Sequence, residues 1–221
     1  MLPEPIAVTL QVIDVLEQLG VPYVIGGSFA SSLHGVVRTT LDADLVADVQ
    51  SHHVEPLVAA LRDSFYVEPQ AIQDAITYRS SFNVIHFETM FKVDVFIPKR
   101  RPFDRAQLER RMLQVVATDP ERKAYIASAE DTILAKLDWY RQGGQVSERQ
   151  WRDVLGVLRV QGNTLDMNYL RSQCPITIRH MSISMTPGTS SRRLRWGMHF
   201  TLPARKPKRF CATHWNLLSR N

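Results

Sequence analysis

With 221 residues, 44% of them hydrophobic and 22% charged, the chain has the length to bury a core and the composition of a soluble globular protein. Its formal charge of +5 is unevenly spread: residues 1–170 hold 17 Lys and Arg against 22 Asp and Glu, a net −5, whereas residues 171–221 hold 10 basic residues and no acidic one. Two distant cysteines, Cys174 and Cys211, exclude a disulfide framework and a zinc site, and no run approaches the roughly 18 apolar residues of a membrane span.

The first twenty residues lack both a basic flank and an unbroken apolar stretch, so the expectation is a cytoplasmic protein with no membrane partner. Apolar residues at Ile6, Leu10, Ile13, Leu16 and Leu19 recur at helical spacing and stop at Gly20. Tyr23 to Ile25 reads as a short strand, which Gly26-Gly27-Ser28 turns into a helix running to about His34. Leu41 to Val49 reads as a strand, Val54 to Leu61 as a helix, and Gln70 to Tyr78 as a further helical stretch. Phe82 to Phe87 and Phe91 to Ile97 have the pattern of a hairpin, closed by Pro98.

A helix is expected over Arg105 to Met112. Ser128-Ala-Glu-Asp131 and Ser147-Glu-Arg-Gln150 both resemble capping boxes, and each predicts a helix start, with Gly143-Gly144 between the two helices. The fold class is therefore α/β (α+β): a mixed sheet with flanking helices and a small helical part. The expected divisions are a core over 1–120, a helical segment over 121–170, and a basic irregular tail over 171–221. Two readings of the tail stay open, an arm that grips nucleic acid and the product of a reading frame shifted after Asp166.

The chemistry concentrates between Tyr23 and Asp48. Strand residues two apart share a face, so Asp42 and Asp44 project together while Ala43 and Leu45 turn inward. Two carboxylates side by side repel, and divalent metal between them relieves the repulsion. In Phe91 to Ile97 the apolar residues take one face and leave Asp94 on the other, so if that strand lies beside the first the three acids can converge. Gly26, Gly27 and Ser28 open a helix, where bare N–H groups and the helix dipole favour phosphate.

A lone Asp-x-Asp or Gly-Gly-Ser is common; their order along the chain is the informative part. A glycine–serine turn opening a helix, an Asp-x-Asp on the next strand and a carboxylate on a later one resemble the nucleotidyltransferase superfamily of the DNA polymerase β type. Arg38-Thr-Thr40, Ala129-Glu-Asp-Thr-Ile-Leu-Ala-Lys136 and Arg149-Gln-Trp-Arg-Asp153 further resemble the minimal AbiEii-type toxins, over about residues 5 to 165.

That resemblance implies transfer of a nucleoside monophosphate from an NTP to an RNA such as tRNA, a protein or a small molecule, with a cognate antitoxin as a further partner. It implies Mg²⁺ or Mn²⁺ on Asp42, Asp44 and Asp94, with Asp94 as general base, and a triphosphate held by Gly26, Gly27, Ser28, Arg38, Lys136 and Asp153. The bland alternatives are a Lys136 stem beside the core with its amine in water, a surface Asp153, and an Arg38 paired with Asp42. His34, His52 and His53 read as structural or solvent-facing, and Trp139, Tyr140 and Trp151 as a contact between the last helices. The competing functions are a catalytically silent binding domain of the same fold and a nucleic-acid binder working through the basic tail.

Overall fold

The computed structural model describes residues 4–37, 40, 42–144, 146–173, 182–185 and 196–199. Two compact units divide the chain, at 1–173 and 174–221. In the second, Ser182–Met185 and Trp196–His199 pair as an antiparallel hairpin, and the rest of the basic tail lies outside the described residues.

The first unit begins with helix α1 (Glu4–Gln18), whose apolar stripe buries Val8, Val12, Ile13 and Leu16 and which ends before Gly20, at φ +66°. Strand β1 (Tyr23–Ile25) is buried throughout and leads into helix α2 (Gly27–His34). Strand β2 (Asp42–Ala47) alternates half-buried and buried positions, as a strand does when only one of its faces meets the core. Helix α3 (Val54–Leu61), strand β3 (Phe65–Tyr66) and helix α4 (Pro69–Tyr78) follow, then β4 (Ser81–His86) and β5 (Lys92–Phe96).

The chain continues as helix α5 (Pro102–Glu109), strands β6 (Met112–Thr118) and β7 (Glu121–Ile126), and helices α6 (Ala129–Gln142), α7 (Glu148–Gln161) and α8 (Met167–Gln173). Seven strands form one sheet in the order β3-β4-β5-β2-β1-β7-β6, with β2–β5 and β1–β7 parallel and the other pairs antiparallel. The core lies between this sheet and the helices, with Ile13, Leu16, Val24, Leu45, Leu57 and Val93 all at or below 1% exposure.

Two expectations are corrected. The helix anticipated over Arg105 to Met112 starts three residues earlier, because Pro102 suits a first helical turn where its missing N–H costs nothing, and it ends at Glu109. Met112 already belongs to β6. The helical part begins at Ala129 rather than at 121, since β7 pairs with β1 through Ile25 and Ile126 and completes the sheet.

Both predicted serine caps form: Ser128 Oγ accepts from the Asp131 N–H at 3.1 Å and Ser147 Oγ from the Gln150 N–H at 3.4 Å. The reciprocal arm of the second does not, and Gln150 Oε1 is buried without a partner. At the end of the unit, the Tyr169 hydroxyl donates to the fully buried Asp131 at 2.7 Å while the Arg110 guanidinium covers the Tyr169 ring at 3.8 Å, tying α8 to α6.

Candidate active site

The parallel register of β2 and β5 sets Asp42 opposite Lys92 and Asp44 opposite Asp94. Alternation then puts all four side chains on the sheet face away from the core, as a square of three carboxylates and one ammonium. Lys92 Nζ lies 2.7 Å from Asp94 Oδ2. The hydrogen bond to Asp94, helped by the charges of Asp94, Asp42 and Asp44, holds the Lys92 ammonium above its usual range. Asp42 Oδ1 accepts from Thr40 Oγ1 at 3.0 Å.

Asp44 sits deepest. Burial, and next the neighbouring Asp42, push its carboxyl above the ordinary carboxylate range; Asp94 adds to this, while the Lys136 ammonium and the Ser28 N–H work against it. The close approach depends on Gly27. At φ +55° a Cβ there would stand 1.7 Å from Asp44 Oδ2, so a side chain is excluded by both conformation and space. The first turn of α2 thus receives the Asp44 carboxylate on the amide that the sequence assigns to phosphate.

Two walls enclose a cleft of about 600 Å³, within the range of small-molecule sites. One is the sheet with Asp42, Asp44 and the Gly26–Ser28 turn; the other is α6 and α7, with Lys136, Trp139 and Arg149. Lys136 Nζ meets Asp153 Oδ2 at 2.9 Å with both side chains nearly buried, at 6% and 7% exposure. Neither bland alternative holds: the Lys136 amine is out of the water and Asp153 is not a surface charge. Arg149 Nη2 donates to Ser28 Oγ at 3.2 Å, so the Ser28 hydroxyl already has a cationic neighbour.

Arg38 lies outside the described residues. His34 is structural, its Nε2 2.7 Å from the Ala127 carbonyl. Tyr140 and Trp151 make the expected contact between helices, with centroids 5.7 Å apart. Trp139 departs from that expectation: it stands edge-on to Phe96 at 5.7 Å, 49% exposed on the cleft wall. Lys92 and Arg149 are site residues that sequence reasoning passed over. Lys92 was legible by the alternation that exposes Asp94; Arg149 was not, since 121 residues separate it from Ser28.

The donor set suits a divalent cation. Its donor atoms are oxygens, burial and the neighbouring Asp42 both disfavour a bare Asp44 carboxylate, and among the described residues the buried Asp94 Oδ1 has no hydrogen-bond partner. Among the described residues no three His, Cys, Asp or Glu side chains are already gathered as a metal-holding group; beside Asp94 the Lys92 ammonium takes the cation's part.

No protein-family model matches the chain, and no curated protein matches it. Solved structures do. The antibiotic-resistance factor ANT(2'')-Ia is 13% identical, with 76% of this chain and 89% of that chain covered and a TM-score of 0.49. An antigenic nucleotidyltransferase-like protein from Paracoccidioides brasiliensis is 17% identical over 77% of this chain and 85% of its own, at 0.49. The lincosamide antibiotic adenylyltransferase LnuA, in its lincomycin-bound form, is 16% identical over 72% and 98%, at 0.43.

Proposed function

We propose that the chain is a metal-dependent nucleotidyltransferase that moves a nucleoside monophosphate from an NTP to an acceptor hydroxyl. The observation that carries the reading is the register of β2 and β5, which sets Asp44, on the cleft wall against the glycine turn of α2, beside Asp94. Mg²⁺ or Mn²⁺ held by Asp42, Asp44 and Asp94 would offset the triphosphate charge at the reacting phosphorus. Gly26, Gly27 and Ser28 line the cleft where the phosphates enter, and Arg149 brings a cation to Ser28. The acceptor oxygen bonds to the α-phosphorus as the bond to pyrophosphate breaks, and the hydroxyl proton passes to Asp94.

Lys136, tied to Asp153, lends positive potential toward Asp44 without leaving its partner. A toxin-type role with a cognate antitoxin is the setting that the AbiEii-type sequence resemblance implies. A second reading, a silent domain of the same architecture, is favoured by one observation: the 2.7 Å Lys92–Asp94 pair, which an active site has to open.

The test is transfer of α-³²P label from each NTP, with Mg²⁺ or Mn²⁺, into RNA, protein and small-molecule fractions, for wild type and Asp42→Ala/Asp44→Ala. Label in one fraction that vanishes in the variant supports the enzyme; folded protein that labels nothing supports the silent domain.

A further inference from the structure

A second cleft, of about 290 Å³, adjoins the first: Pro98 and Asp104 line both. Arg79, Arg100 and Arg105 open onto it from three separate places, the C-terminus of α4, the loop after β5 and the first half of α5. None of the three has an ion-pair or hydrogen-bond partner for its guanidinium among the described residues. Two acids, Asp48 and Asp104, line the same cleft, and each is bonded to a residue other than these three arginines. Asp104 is held by Arg101 at 2.8 Å, and Asp48 accepts from Gln50 Nε2 at 2.7 Å.

Arg79 and Arg100 also stand at φ +51° and +61°, where glycine or asparagine is the easier residue, so long cationic side chains occupy positions that the backbone disfavours. Residues 1–170 carry a net −5, so this gathering of cations runs against the unit's own balance. Guanidinium forks match phosphate oxygens two at a time. Cations that continue beyond the first cleft match an acceptor that continues too.

We propose that the second cleft binds the phosphodiester backbone of an RNA acceptor, whose end places a hydroxyl in the first cleft while the preceding phosphates rest on Arg79, Arg100 and Arg105. An RNA end supplies both features at once, a terminal hydroxyl and negative charge repeated at each nucleotide. This rests on the transferase reading and names its acceptor class.

The experiment measures fluorescence anisotropy of a 5′-labelled 12-nucleotide RNA on the full chain across a salt series, without NTP. Wild type is compared with Arg79→Asn/Arg100→Gly/Arg105→Gln, in which the first two replacements suit the left-handed backbone and keep the fold; Arg105→Glu, on a regular helical backbone, serves as a second variant. The basic tail is present in every protein, so its share cancels in the differences. The triple variant is expected to bind at least about tenfold more weakly. Its log–log salt slope should be shallower by about 2, from roughly 0.7 per phosphate over three contacts. ATP binding should stay within about twofold of wild type.

Unchanged RNA affinity and slope would overturn the proposal. So would an equal loss of ATP binding, which would assign these arginines to the nucleotide, or competition by polyglutamate as strong as that by RNA, which would assign them to an acidic protein. Because no turnover is needed, a wild type that binds RNA through these arginines yet transfers nothing sinks the transferase reading alone. Transfer to protein or a small molecule with RNA binding unaffected sinks this one alone.

Discussion

The two walls of the cleft handle charge in opposite ways. On the helix side the charged groups have local partners: Lys136 with Asp153 and Asp138 with Arg101 and Arg141, while Arg149 donates to the neutral Ser28 hydroxyl. On the sheet side Asp42, Asp44 and Asp94 stand together with the Lys92 ammonium bonded to Asp94, and among the described residues Asp94 Oδ1 has no hydrogen-bond partner. A matched wall is stable as it stands, whereas a wall with surplus negative charge lowers its energy by acquiring a cation. On the proposed function the sheet side carries the chemistry, and the helix side shapes and screens the space opposite it.

The comparison breaks most sharply at the sheet. Asp42→Ala/Asp44→Ala is expected to lower transfer by on the order of a thousandfold or more, the several kcal/mol that charge neutralisation supplies at a transferring phosphoryl group. Rates within about tenfold of wild type would return those acids to a structural role.

On the other wall Lys136→Met, which takes the ammonium away from the nearly buried Asp153, should cost up to roughly 3–5 kcal/mol of stability by chemical denaturation. Lys136→Met/Asp153→Leu should recover most of it. If the double variant is stable and still inactive, the helix wall acts on the substrate and the division drawn here is too strict.

Gly27→Ala joins the walls, since its methyl group would fall on Asp44. A loss of more than about 1 kcal/mol is expected from the positive φ alone, together with lost transfer. A variant of native stability and activity would show that α2 does not hold Asp44. Smaller again is Lys92→Gln. Removing the ammonium should tighten Mn²⁺ binding by about tenfold in calorimetry without nucleotide, an equilibrium that turnover does not enter. Weaker binding would mean that Lys92 supports the site rather than occupying it.

Finally, Asp44 has a raised carboxyl, so the metal-free fold is favoured by its protonated form. That contribution is present at acid pH and is lost as pH rises through the elevated folded value. Asp44→Asn should accordingly raise Tm at neutral pH in chelator, and the gain should fade on acidification. Transfer, which needs the ionised group, should run the other way and rise over the same window.

Legibility followed the range of the interactions. α3 was readable to the residue, and β2, α2 and α4 to within one or two, because periodicity and turn residues are local signals. β6 and β7 were missed: they lie at the end of the sheet beyond β1, and their alternation is diluted by Gln114, Glu121, Arg122 and Lys123. The acids and the glycine turn could be found from spacing alone. Of the cations near them, Lys92 was legible by alternation, Lys136 was named only through the family resemblance, and Arg149 was not legible, since it reaches the site through helix packing.

By itself the sequence determined which side chains share a strand face and where helices begin, for these depend on bond geometry and on neighbours three or four residues away. Only the tertiary structure decided that β2 lies parallel to β5 in the register that sets Asp44 against Asp94. It also decided that Lys136 is shut away with Asp153 and that three arginines without partners among the described residues line a second cleft. Such pairings are selected by the whole core at once, because shifting one strand by a single residue turns every side chain on it to the other face.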